Sequence, residues 1–127
     1  MDRPEWRRAE VPERKLDFLL DSARRDDPDP RRRHADKSWL FVGVLGFTDR
    51  ALLRSSLIAH ANDGLVVTAR SVGRVDGTNY EVRGPFVGQN DRQMRLLSIW
   101  CVLAGESTPR FVTAYPAARS TGARIRP

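Results

Sequence analysis

The sequence predicts an α+β domain in which N-terminal helices pack on one face of a four-stranded antiparallel β-meander. Three observations predict it. Apolar residues recur at helical spacing as far as Asn62. After Gly64 the period changes to two, and the alternating segments are joined by connections too short for crossovers. At 127 residues the chain has room for one core.

Residues 1–12 read as an N-terminal tail and 13–116 as a single domain. "ERKLDFLL" sets Leu16, Leu19 and Leu20 on one helical face, with Phe18 at its flank. Residues 22–36 mix both signs of charge with two prolines and few apolar side chains, so burial cannot offset their ordering entropy and they read as a mobile loop. "WLFVGVLGF" is apolar nearly all round and reads as a short buried helix ending near Gly46. Thr48 or Asp49 then caps a helix lined by Leu52, Leu53 and Leu57, which Asn62 and Gly64 stop. Four strands follow: "LVVTARSVGR", "TNYEVRGPF", "RQMRLLSIWCVLA" and "PRFVTAY", with turn residues between them. Residues 117–127 read as a basic tail.

The net charge of +6 is unevenly placed. Residues 1–36 hold ten basic and ten acidic side chains, whereas 37–127 hold twelve basic and six acidic ones. Such an excess attracts phosphate, which makes RNA a candidate partner; a bland basic surface is the competing reading. The lone Cys101 lies in an apolar run and offers no disulfide framework. No apolar run approaches the ~20 residues of a membrane span, and the first residues lack the apolar core of an export signal. The expectation is a cytoplasmic protein with no membrane attachment. No His/Cys/Asp cluster has ligand spacing and no phosphate loop is present, so neither metal nor cofactor is expected.

If residues 105–108 close the last hairpin, Val102 meets Phe111, Trp100 meets Thr113 and Ser98 meets Tyr115. The opposite face then carries Ile99, Cys101, Val112 and Ala114 and is the side that helices cover. The helix-free face gathers Ser98, Trp100, Thr113 and Tyr115, joined by Asn79, Glu81 and Arg83 if Tyr80 and Val82 face the helices. Ordinary solvent-facing polarity with cross-strand aromatic packing is the alternative.

The succession "KLDFLL", "ADKSWLFVGVLGF", "ALLRSSLIAHA", "GTNYEVRGPF", "LLSIW" and "PRFVTAYP" resembles a family of small bacterial domains of unknown function, found alone or at the end of secreted and polymorphic-toxin-type proteins. Their layout is similar to the barnase, EndoU, colicin and RelE group of metal-independent nucleases. The resemblance implies a toxin-like ribonuclease whose site lies on the open sheet face, with a co-encoded immunity or antitoxin-like protein as partner. The chain departs from the group's pattern at Leu97 and Asn79, where basic residues are expected.

Metal-independent RNA cleavage needs a proton acceptor, a proton donor and a cation or dipole on the phosphoryl oxygens. Glu81 is the candidate acceptor and Arg83 the phosphate clamp, since guanidinium binds oxyanions bidentately. Thr113 and Tyr115 donate a proton or hold an oxygen. Ser98 adds a hydroxyl, and Trp100 offers a stacking face for a base. Arg95 and Arg110, on the covered face in this register, reach substrate from the rim. Lys15 folds over the sheet from the first helix, or is simply solvated. His60 reads as a core or rim side chain and His34 as surface. The alternative to catalysis is a protein-interaction module of the same fold.

Overall fold

A computed structural model describes residues 5–20, 38–71 and 77–117, with the backbone alone for 66–71. The expected loop at 22–36 lies outside the described residues, as do all but the first residue of the expected basic tail.

Helix α1 spans Glu13–Leu20 and buries Leu16 and Leu19, as its spacing requires. The apolar "WLFVGV" forms a π-helical turn, α2, Trp39–Val44, and the Leu45 amide donates to the Leu40 carbonyl at 2.9 Å. Gly46 ends it at φ +70°, a left-handed conformation that glycine takes without a Cβ penalty. Helix α3 runs over Arg50–Asp63 and begins where the Asp49 carboxylate accepts from the amides of Ala51 and Leu52. Two arginines of α3 fasten α1 to it. Arg50 pairs with Asp17 and Glu13, and Arg54 pairs with Glu13. Arg50, and then Arg54, hold the Glu13 carboxyl below the ordinary carboxylate range.

The strands are β1 (Leu65–Ser71), β2 (Gly77–Val87), β3 (Gln93–Leu103) and β4 (Arg110–Pro116), antiparallel in the order β1-β2-β3-β4. Side chains are described for β2, β3 and β4, while β1 is described by its backbone pairing. One face of the sheet is buried: Val82, Gly84 and Phe86 on β2, Leu96, Ser98 and Trp100 on β3, Phe111 and Ala114 on β4. The apolar members join Leu16, Leu19, Leu40, Phe41, Leu53 and Leu57 in one core, so the helical layer covers that face.

Residues 5–12, set apart as tail by the sequence, are docked on the domain. Trp6–Arg8 form a 3₁₀ turn, and Trp6 stands edge-on to Tyr80 and Trp100 at centroid distances of 5.9 and 6.1 Å. Glu10 then makes a parallel bridge to Arg110: its amide donates to the Pro109 carbonyl and its carbonyl accepts from Phe111 N, each at 2.9 Å. Ala9 and Val11 are buried. Backbone groups of the edge strand β4 thereby gain partners, which composition does not reveal.

Candidate functional site

The last hairpin does not keep a constant register. Leu97 pairs with Tyr115, Ser98 with Ala114 and Ile99 with Thr113, but Trp100 pairs with Phe111 and Cys101 with Arg110. Val112 is therefore an extra residue, a β-bulge, and the faces on its two sides are out of phase. Phe111 and Thr113, which share a parity, point to opposite faces. Phe111 goes into the core 5.3 Å from the ring of Trp100, and both are 2% exposed or less. Burial of each ring is worth roughly 3 kcal/mol, far more than the ladder irregularity that permits it.

The expected cluster is accordingly split. Ser98 and Trp100 lie under the helices, fully buried, and neither can touch a substrate on the helix-free face. Instead they form a closed polar chain with His60. The Leu96 carbonyl, 3.0 Å from His60 Nε2, can only accept, so Nε2 carries the proton. Nδ1 then accepts from the Ser98 hydroxyl at 3.0 Å, and the hydroxyl oxygen accepts from Trp100 Nε1 at 2.8 Å. Burial, opposed by carbonyl contacts and by the charge of Asp63, pushes the His60 pKa down from its ordinary value. Sequence spacing assigned His60 to the core but gave no sign of this network, because the face of Ser98 depends on the bulge.

Thr113 and Tyr115 do share the helix-free face with Glu81 and Arg83. Two adjacent cross-strand rows carry them: Glu81, Ile99 and Thr113 in one, Arg83, Leu97 and Tyr115 in the other. Leu97 is 9% exposed yet stands outside the core cluster. With β3 between them, β2 and β4 lie about 10 Å apart, and their polar side chains flank the aliphatic strip of Leu97 and Ile99. Arg83 is half-buried, and its Nε has no hydrogen-bond partner among the described residues. Glu81 and Tyr115 are each engaged with a neighbouring group.

The bulge also moves the flanking cations. Arg95, assigned to the covered face by the sequence, is exposed on the helix-free face, two residues along β3 from Leu97. Arg110 reaches that face beside Cys101, where Glu10 and Glu106 lie 3.7 and 3.6 Å from its guanidinium. Lys15 belongs to α1, in the helical layer, and does not join these residues. Among the described residues, no group of His, Cys, Asp and Glu could hold a metal ion. No helix among them is long and apolar enough to cross a membrane.

A layer of helices on one face of an antiparallel sheet, with carboxylate, guanidinium, hydroxyl and phenol on the other, defines a small α+β domain with a polar helix-free face. Residues 3–118 match the family described as Domain of unknown function (DUF6883), and the chain belongs to it. No curated protein matches. Among solved structures, a chain of the contact-dependent growth inhibition toxin–immunity protein complex from Klebsiella pneumoniae 342 is similar, with a TM-score of 0.65 and 19% identity over 89% of this chain and 97% of that one. At that identity the likeness shows the fold.

Proposed function

We infer that this domain binds RNA on the helix-free face of its sheet and cleaves it without a metal ion, as a toxin-type ribonuclease. One observation carries the reading: Glu81 and Arg83 on β2 stand across the same two rows from Thr113 and Tyr115 on β4, with Arg95 beside them. A phosphodiester lying over β3 then has its base on one side and its acid on the other, the arrangement an in-line displacement requires. Glu81 takes the proton of the ribose 2′-OH, which attacks the adjacent phosphorus. Arg83 and Thr113 hold the phosphoryl oxygens. Tyr115 gives its proton to the departing 5′-oxygen, leaving a 2′,3′-cyclic phosphate and a 5′-hydroxyl. The similarity to a chain from a toxin–immunity complex supports the toxin context and a protein partner of immunity or antitoxin type.

The test is transfer RNA incubated with the purified domain in EDTA. Cyclic-phosphate ends are expected, with the rate lowered about 100-fold or more by Glu81→Gln or Arg83→Ala. Intact RNA at high protein concentration overturns the reading. A second reading, a non-catalytic interaction module, is favoured by the apolar strip of Leu97 and Ile99 through the middle of the same face. Its signature is tight binding of a co-encoded protein without RNA cleavage.

A further inference from the structure

The two layers part where β1 gives out. β1 begins at Leu65 opposite Arg83, whereas β2 continues to Val87, so residues 84–87 overhang beside the C-terminal half of α3. Overhang and helix enclose an open hollow of about 270 Å³. Ser56, Ala59 and Asp63 line its helical wall at one-face spacing, Val87 forms the opposite wall, and Phe86 and His60 form the floor.

The lining is mostly apolar, with the Ser56 hydroxyl along the helical wall and the Asp63 carboxylate at its end. Both His60 nitrogens are already engaged, so the ring presents only carbon surface, set edge-on to Phe86 at 5.9 Å. Asp63 is exposed and makes no hydrogen bond or ion pair with another described residue. It is also the last residue of α3, where the helix end carries partial negative charge and a carboxylate is unfavourable. Among the described residues, Asp63 is thus a negative corner without a cationic partner beside a mostly apolar hollow, in a chain of net charge +6. A drug-sized ligand occupies roughly 300–1,000 Å³, so this space suits a single side chain. The match is a group with an apolar stem and a cationic tip.

We propose that the hollow between α3 and the β2 overhang docks one lysine or arginine side chain presented by a partner protein. The methylene stem lies on Phe86, Ala59 and Val87, and the cation meets Asp63 and the carbonyl end of α3. The site lies at the edge of β2 beside α3, where Phe86 faces the helices while Pro85 and Val87 share the parity of Arg83, and it stands whether or not the helix-free face cleaves RNA.

The test is titration of the ¹⁵N-labelled full chain with four capped amino acids, the Nα-acetyl amides of lysine, arginine, norleucine and glutamate, following the amides of residues 56–63 and 84–87. Saturable shifts with about millimolar affinity are expected for the two cations. Norleucine, which keeps the stem and lacks the charge, binds about threefold more weakly, and glutamate does not bind. Asp63→Asn removes the cation's advantage. Ala59→Trp fills the hollow and abolishes binding, with unchanged amide resonances in the β3–β4 hairpin, remote from the hollow, reporting an intact fold. Absent or unsaturable shifts with lysine and arginine, equal binding of norleucine, binding of glutamate, or indifference to Asp63→Asn each overturn the proposal.

Discussion

Ser98 has the smallest side chain in the buried polar chain and controls the other two members. Its oxygen accepts from Trp100 Nε1 while its proton goes to His60 Nδ1. Ser98→Ala leaves a buried donor and a buried acceptor without partners, so a loss of about 1–3 kcal/mol is expected in urea unfolding. The same chain sets the sign of a pH effect. Burial lowers the folded-state pKa of His60 below its ordinary value, so as pH falls the unfolded chain takes up the proton first. The stability His60 contributes is whole above about pH 6.5 and declines as the pH is lowered through that value. The ring resonance of His60 is expected to titrate with a midpoint below 6.5 and to show the Nε2–H tautomer. A midpoint above 6.5 contradicts the hydrogen-bond directions assigned to all three residues.

At the scale of elements, the junction of α3 and β1 is a tight joint that a substitution can test. A Cβ on Gly64 would stand 2.6 Å from Val82 Cγ1 and 2.8 Å from the His60 carbonyl oxygen. Gly64 has φ −79°, so the constraint is close approach and not backbone conformation. Gly64→Ala is expected to cost roughly 1–3 kcal/mol through overpacking. Gly43→Ala, whose Cβ meets nothing nearer than 3.9 Å, is the control and should leave the denaturation midpoint almost unmoved. The contrast between joint and bulge shows what was legible. Asp49 and Gly64 announce the ends of α3 through local chemistry, since a cap and a stop act on the nearest backbone groups. Val112 announces nothing. A bulge at an edge strand changes no residue type and breaks no hydrophobic run, yet it reverses the face of everything beyond it. Regular pairing therefore placed Ser98 and Trp100 on the helix-free face and Arg95 on the covered one, opposite to where they lie. Glu81, Arg83, Thr113 and Tyr115 came out together because the reversal acted on β3 and on the inner half of β4, Arg110 and Phe111, alone. β2 was placed by its own alternation, and the bulge restores the outer half of β4 to its expected face. The docked segment 5–12 was hidden for a related reason: its attachment runs through backbone groups of Glu10 and through Trp6, Ala9 and Val11, too few apolar residues to stand out among the charged ones around them.

For the molecule as a whole, the charge distribution decides how RNA would be held. Residues 37–127 carry twice as many bases as acids, and among the residues whose side chains are described only some of those bases belong to the helix-free face. Arg83 and Arg95 lie there, while Arg110 is shared with Glu10 and Glu106 at the rim. Arg119, Arg124 and Arg126 lie in the C-terminal segment beyond the sheet. Counterion release separates these sources, because each phosphate contact on a single strand contributes about 0.7 to the slope of log K against log salt concentration. Binding through Arg83 and Arg95 gives a slope of roughly −1.4 from the face. Titrating a labelled single-stranded RNA at several salt concentrations, with EDTA present and Glu81→Gln to prevent turnover, measures it. The double substitution Arg83→Ala with Arg95→Ala is expected to remove about 1.4 from the slope, while truncation after Ala117 leaves that part intact. If truncation removes the salt dependence and the double substitution leaves it unchanged, RNA is held by the basic C-terminal segment and the sheet face is not its binding surface.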